Sequence, residues 1–369
     1  MVCSLCGRDN RDNAKFCDSC GAALDRTVTR TGVDPELDAI RKAFGEHFTV
    51  ESLLGRGGMG SVYKAREKAL DRHVALKIVP EHRRNDEQFI ERFRREARIA
   101  ARLRHPRIVS VHEVGTMGSF PYFSMDYIEG STLRSVVERR DALPQEDAIS
   151  VVVEICRAVA HAHGKGIIHR DLKPENVMID TEGDVFVLDF GLARAVEDDA
   201  SLTQPGVVVG TPFYMSPEQL AGEKLDERSD VYSIGLILYY CLTGDELFRA
   251  DGITAVMSKH ANVRIRDVMT DDARLPANLR DLIASMLQED RNMRTRSVKE
   301  VLERLTLRKI VALGLAATED QSPVHQNDTP TAFRATERNA EPAAPAEDPR
   351  VAASAERRKA RLRSLLDSL

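Results

Sequence analysis

Residues 169–176 read HRDLKPEN: His169, Arg170, Asp171, Leu172, Lys173, Pro174, Glu175 and Asn176. Two cations, two carboxylates, an imidazole and an amide are gathered around one proline. Proline fixes φ and removes a donor, so the stretch is neither a helix interior nor a central strand and reads as a loop. Charged groups crowded into a loop are either surface decoration or a site that moves a proton and holds a metal ion. The flanking segments decide between the two.

Downstream, NVMID, the turn TEGD and VFVLDF read as a short hairpin. It brings Asn176 and Asp189 to the same edge. A carboxylate and an amide oxygen there suit Mg²⁺, a hard cation that takes oxygen ligands. Asp171 is left to orient a hydroxyl and accept its proton. Upstream, GRGGMGSV carries Gly55, Gly57, Gly60 and Val62 in the pattern G-x-G-x-x-G-x-V. Glycine lets backbone amides approach phosphate oxygens with no side chain in the way. A flexible hairpin or a dinucleotide site uses the same pattern. Here a second strand follows rather than a helix, which counts against a dinucleotide fold. In VALKIV, Lys77 interrupts an apolar strand. It is either an edge gatekeeper or an inward lysine that reaches nucleotide phosphates. An inward lysine needs an acidic partner, and Glu96 lies on the next predicted helix.

The wider chain has a strand-rich first part and a helix-rich second part, which suggests two lobes with a ligand cleft between them. DEQFIERFRREARIAARLR reads as a charged helix and FPYFSMDYIEG as a strand. DAISVVVEICRAVAHAHGKG places Ile149, Val153, Cys156, Val159 and Ala160 on a helical stripe. DVYSIGLILYYCLTG is apolar nearly all round, the pattern of a buried helix.

Taken in order, these motifs resemble those of eukaryotic-like (Hanks-type) serine/threonine protein kinases of bacteria. The resemblance spans about residues 48–308. It implies an α+β, bilobal protein-kinase fold with a β-rich N-lobe and a helical C-lobe. By the same resemblance Gly55, Gly57 and Gly60 cover the ATP phosphates, and Lys77 contacts the α and β phosphates and pairs with Glu96. Val62, Ala75, the gatekeeper Met125 and the hinge from Asp126 to Ile128 complete the nucleotide site. Asp171 is the catalytic base, Lys173 steadies the γ-phosphate, and Asn176 and Asp189 hold Mg²⁺ or Mn²⁺. Asp230 bonds back to the catalytic loop, and Glu218 pairs with Arg294. The resemblance further implies an activation segment between Asp189 and Glu218. Thr203 is its expected phosphosite, with Ser201 as a substitute and Arg170 as the receiver. Pro205 stands where relatives often carry a second threonine. Thr211 shapes the substrate pocket. Asp290-Arg291 replaces a frequent Asp-Pro, with little expected consequence. Protein substrates, and a homodimer that phosphorylates itself in trans, are the implied partners.

Four of the six cysteines crowd the N-terminus as Cys3, Cys6, Cys17 and Cys20, in the form C-x₂-C-x₁₀-C-x₂-C. Four thiolates on two tight turns can close a tetrahedron around a structural Zn²⁺, and a unit this small needs the metal as its core. Residues 1–24 resemble a zinc ribbon. Redox pairs and iron–sulfur ligation are the alternatives, without a thioredoxin-like context or a ferredoxin spacing to favour them. Residues 25–47 read as a linker with a short helix that sets Leu37, Ile40, Ala43 and Phe44 on one face. Residues 309–349 read as a disordered linker and 350–369 as a basic amphipathic helix.

The bulk numbers exclude other classes. The 369 residues carry a net charge of -5, so nothing global favours nucleic acid. The apolar run IVALGLAA, 310–317, falls far short of the ~20 residues of a membrane span. MVCSLCGRDN has no apolar signal core, and the expectation is a cytoplasmic protein.

Overall fold

The computed structural model describes residues 35–58, 60–190, 212–250, 253–262 and 265–312. The four N-terminal cysteines, Ser201, Thr203, Pro205, Thr211 and the basic C-terminal segment lie outside the described residues. The chain begins with helix α1 (Pro35–Phe44) and continues into strands β1 (Phe48–Gly57), β2 (Gly60–Glu67) and β3 (Arg72–Ile78). Helix α2 (Glu87–Ala100) follows, then β4 (Val111–Met117) and β5 (Phe120–Asp126). The five strands form one antiparallel sheet in the order β1-β2-β3-β5-β4.

Strand alternation divides this sheet into two covered faces. On one face Val74, Leu76 and Ile78 of β3 and Phe120 and Tyr122 of β5 join Ile40 and Phe44 of α1. On the other, Ala75 and Val79 join Phe123 and Met125 of β5 and Phe93 and Ala97 of α2. Lys77 shares the parity of Ala75 and Val79, so the strand's own period turns it toward α2 and the cleft. Helix α2 begins where the Asp86 side chain accepts the Phe89 N–H at 2.9 Å, an N-cap that satisfies an orphan donor.

The stretch read as a linker therefore ends in a core element. Ile40 and Phe44 are fully buried, and the Phe44 ring lies 4.9 Å from Tyr122 and 6.2 Å from both Phe48 and Phe120. The reading of one apolar face on α1 holds; what that face covers is the outer side of the sheet.

The second part is helical, apart from a three-stranded sheet. Strand β6 (Gly130–Thr132) leads into α3 (Leu133–Arg140) and α4 (Gln145–His163). Strands β7 (Val177–Asp180) and β8 (Val185–Val187) make the expected hairpin, in the order β6-β7-β8. Then come α5 (Pro217–Leu220), α6 (Glu227–Thr243), α7 (Ile253–Asn262), α8 (Ile265–Asp271), α9 (Ala277–Met286) and α10 (Val298–Ala312). Helix α6 is buried along fifteen consecutive residues, Ser229 to Thr243, as its all-round apolar sequence requires. It ends at Gly244, whose φ is +74° and where a Cβ would stand 1.6 Å from the Asp141 carbonyl oxygen. Helix α4 differs from its expected one-sided stripe: Ala148, Val151, Val152, Ile155 and Ala158 are buried as well. The reason is its position, with α6, α10 and β8 all packed against it. Among the described residues no helix is long and apolar enough to cross a membrane.

Truncating Phe44 to alanine should lower unfolding free energy by about 3–5 kcal/mol, the cost of emptying a buried aromatic site. Urea unfolding of the wild type and Phe44→Ala checks this. A change below about 1 kcal/mol would mean that α1 is not part of the cooperative core.

Candidate active site

The glycine-rich stretch is a hairpin. Gly55 faces Val62, Arg56 faces Ser61 and Gly57 faces Gly60 across β1 and β2. At Gly60 φ is +149° and a Cβ would lie 2.6 Å from the Ile78 carbonyl oxygen, so glycine is required for the hairpin to lie this close to β3. Lys77 sits between Val62 and Phe123 in the sheet register and is 4% exposed.

Lys77 does not pair with Glu96, contrary to expectation. Its Nζ donates to Asp189 Oδ1 at 2.8 Å. Glu96 is 3% exposed and its Oε1 has no hydrogen-bond partner. Burial pushes the Glu96 carboxyl up to about 8, against the pull of the Lys77 charge. A protonated Glu96 offers a cation little, whereas the Asp189 side chain, 24% exposed, presents Oδ1 to the lysine. Glu96, Ala97, Val109, Phe123, Met125, Asp189 and Phe190 line one recess.

The loop 169–176 is held from below by one carboxylate. Asp230, 1% exposed, accepts the backbone N–H of His169 at 2.8 Å and of Arg170 at 2.9 Å, and is bonded by His163 Nε2 at 2.7 Å. Burial works to raise the Asp230 carboxyl, but His163 and His169 hold it below the usual carboxylate range. Arg170 takes a left-handed backbone with φ +69°, and so does Asp189 with φ +57°. For such residues this costs on the order of 1–3 kcal/mol each and persists where the surroundings over-determine it. His169 has no assigned role in the sequence reading, yet it joins the two turns. Its Nε2 meets the Leu188 carbonyl oxygen at 2.8 Å, its Nδ1 accepts the Asp171 N–H at 3.3 Å, and its ring packs on Phe190 with centroids 4.5 Å apart. That pairing places the ring proton on Nε2.

Asp171 is oriented by its own loop. Lys173 Nζ donates to its two carboxylate oxygens at 2.8 and 3.0 Å, and Asn176 Nδ2 donates to Oδ2 at 3.0 Å and to the Asp171 carbonyl at 2.8 Å. Burial alone would lower the Lys173 ammonium; the Asp171 charge beside it raises it instead. The β7–β8 hairpin pairs Val177 with Val187, and the Leu188 N–H bonds the Asn176 carbonyl at 2.9 Å. Asn176 and Asp189 thus flank one edge. With Nδ2 of Asn176 committed to Asp171, its amide oxygen is left to accept a cation beside the Asp189 carboxylate. This donor set fits Mg²⁺.

The supporting contacts also fall into place. Met125 pairs with Ala75, and Asp126 ties the end of β5 to Ser110 and to His112. Ile128 packs beside the cluster that contains Met125. Arg294 clamps Glu218 at 2.7 and 3.0 Å, with the Ser229 hydroxyl donating at 2.7 Å. Burial opposes ionisation of Glu218, but Arg294 and Ser229 bring its carboxyl down to about 2. A further cluster escaped the sequence reading. Arg134 bonds Glu175 of the loop at 2.6 Å, Glu138 at 3.1 Å, and Glu246. The spacing of Arg134 and Glu138 was visible in the sequence; the distant partners were not.

A glycine hairpin over a buried strand lysine, facing Asp171 and an Asn176–Asp189 edge, defines the class. Residues 48–305 match the protein kinase domain family and residues 2–24 match a zinc-ribbon domain. The chain belongs to the protein kinase domain family. It is similar to a probable serine/threonine-protein kinase of Clostridium perfringens, 36% identical over 303 residues that cover 81% of this chain and 44% of that protein. It is also similar to serine/threonine-protein kinase PknB of Mycobacterium leprae, 44% identical over 219 residues, 58% of this chain and 35% of the other. With PknB of Mycobacterium tuberculosis it is 41% identical over 248 residues, 66% of this chain and 39% of the other. The chain spans less than half the length of these curated relatives.

The buried Glu96 has a pH signature. Its folded value of about 8 stands above its ordinary 4.5, so its contribution to stability is complete below about 4.5 and is lost as pH rises through about 8. Thermal melts at about pH 5 and about pH 8.5 should show the wild type losing more stability than Glu96→Gln over that interval. A difference between the two proteins that stays constant with pH would refute the protonated Glu96.

Proposed function

We propose that the chain is a cytoplasmic serine/threonine protein kinase that transfers the γ-phosphate of ATP to protein hydroxyls and to its own activation segment. The observation that carries the reading is the meeting of Asp171, Lys173, Asn176 and Asp189 at the mouth of the cleft that Lys77 lines. Phosphoryl transfer needs in-line positioning and charge neutralisation more than covalent help. Asp171 Oδ1 and Oδ2, fixed by Lys173 and Asn176, orient the substrate hydroxyl and take its proton. Lys173 brings a positive charge to the place where the transferring group passes. The amide N–H groups around Gly55, Gly57 and Gly60 cover the phosphates. Mg²⁺, when bound by Asn176 and Asp189, supplies further positive charge to those phosphates. Lys77 leaves Asp189 for the phosphates in the working arrangement, so its observed contact is a resting one. Thr203, or Ser201, is the self-phosphorylated position that Arg170 receives, modified in trans within a homodimer.

Incubation of the purified chain with Mg·ATP, followed by phosphopeptide mapping, tests this. Phosphate should appear on Thr203 or Ser201 in the wild type. Asp171→Asn should reduce incorporation by about 100-fold or more while leaving the melting temperature within a few degrees. No incorporation by a folded wild type, into itself or a generic protein substrate, would overturn the reading.

Cys3, Cys6, Cys17 and Cys20 are proposed to hold one structural Zn²⁺. Elemental analysis should find about one zinc per chain, lost on Cys17→Ser. A metal-free chain with an ordered N-terminus would exclude it.

A further inference from the structure

Helix α1 lies outside the matched kinase region, yet it touches the nucleotide site. Its core face is seated by Ile40 and Phe44, and its polar side reaches β1 at two places. Toward the start of the strand, Arg41 Nε donates to the Val50 carbonyl at 3.1 Å and Arg41 Nη2 to the Glu51 carbonyl at 2.8 Å. Toward the glycine end stands Glu36, whose side chain is 18% exposed. One of its oxygens accepts from Arg84 and the other lies 3.6 Å from Arg56 Nη2.

Both arginines sit where the phosphate-binding geometry is set. Arg56 is the side chain between Gly55 and Gly57, inside the hairpin. Arg84 follows β3, and its Nε donates to the carbonyl of Val79, two residues after Lys77, at 3.1 Å. The Arg84 guanidinium also lies over the Phe120 ring, 4.3 Å from its centroid. Glu36 therefore joins the glycine hairpin to the end of the lysine strand through two ion pairs. A glycine-rich hairpin has great conformational freedom and few side chains by which it can be held. A carboxylate that grips Arg56 removes part of that freedom before any ligand arrives, which favours binding by pre-organisation.

We propose that Glu36 is a positioning residue for the nucleotide: it holds the glycine hairpin over the phosphate site by pairing Arg56 while anchored on Arg84. The proposal rests on the nucleotide-binding reading of the site. It touches no reacting atom, so its effect belongs in nucleotide affinity and not in the chemical step.

The test uses the whole 369-residue chain, with Mg·ADP as the probe in titration calorimetry and Mg·ATP with casein in steady-state assays. Glu36→Gln should weaken Mg·ADP binding and raise KM for ATP by about 3–10-fold, with kcat within about twofold. Glu36→Asp should recover part of the loss. Arg56→Gln should give the same shift, and the double variant no further shift, since both single changes remove the Glu36–Arg56 pair through which the hairpin is held. Arg41→Gln, at the other end of the helix, should lower the melting temperature without altering Mg·ADP affinity. Arg56 is 38% exposed, so its variant keeps the test alive if Glu36→Gln folds poorly. Unchanged Mg·ADP affinity in Arg56→Gln and Glu36→Gln, or additive effects in the double variant, would overturn the proposal. A wild type that binds no Mg·ADP would instead overturn the nucleotide reading beneath it.

Discussion

Asp230 is an ionised carboxylate with almost no access to water, and such a group survives only when its lone pairs are taken up. Three donors do this: His163 Nε2 and the backbone N–H groups of His169 and Arg170. Its place in the opening turns of α6 adds the favourable end of the helix dipole. The consequence reaches upward. Two consecutive amides pointed at one carboxylate force the chain through the left-handed turn at Arg170, and that turn presents Asp171 to the cleft. His169, pinned by its own amide, then carries the constraint across to Leu188 and Phe190. Asp171 and the Asn176–Asp189 edge are thereby fixed to one helix of the core, and the strain at Arg170 and Asp189 is offset by bonds that lie outside the loop.

The N-terminal sheet places its part by a simpler rule. A period of two sends Val74, Leu76 and Ile78 to α1 and leaves Ala75, Lys77 and Val79 for the cleft side. Slipping β3 by one residue would exchange the two sets and bury the lysine under α1, so the register is strongly specified. Gly60 adds a steric condition to the same end, because any side chain there would strike the backbone of Ile78, next to Lys77.

Much of this was legible because the chemistry is local in sequence. The hairpin after Asn176 follows from apolar runs around TEGD, and the buried α6 follows from its all-round apolar pattern. The Glu218–Arg294 and Asp230 contacts followed from the resemblance to a family, not from spacing. What escaped has a common cause. Glu36 with Arg56 and Arg84, and Arg134 with Glu175 and Glu246, join residues separated by tens of positions up to 112, and a list of charges does not say which will meet. The all-round burial of α4 was hidden likewise, since its neighbours, and not its own period, decide how much of it is covered. Helix α1 showed its apolar face plainly; that the face belongs to the sheet depends on Phe120 and Tyr122, rings more than seventy positions away that complete the cluster with Phe48.

The expected Lys77–Glu96 pair failed for a reason that is itself informative about the site. Two carboxyl groups, Glu96 and Asp189, stand in the field of Lys77, and only Asp189 is hydrogen-bonded to it. Glu96 is enclosed by apolar groups of α2 and β5, so it is cheaper for it to keep its proton than to ionise beside a distant cation. Asp189 sits at the rim, and its Oδ1 is the oxygen the lysine reaches. Any group that claims the Asp189 carboxylate withdraws the partner Lys77 now has, and a buried ammonium without a partner is costly. The lysine must then turn to phosphate oxygens or toward Glu96, whose proton is released to solvent as the ammonium favours the carboxylate form. Metal binding, lysine placement and the charge of Glu96 are coupled in this way by desolvation, and the coupling follows from the burial of Lys77 and Glu96 beside the rim carboxylate of Asp189.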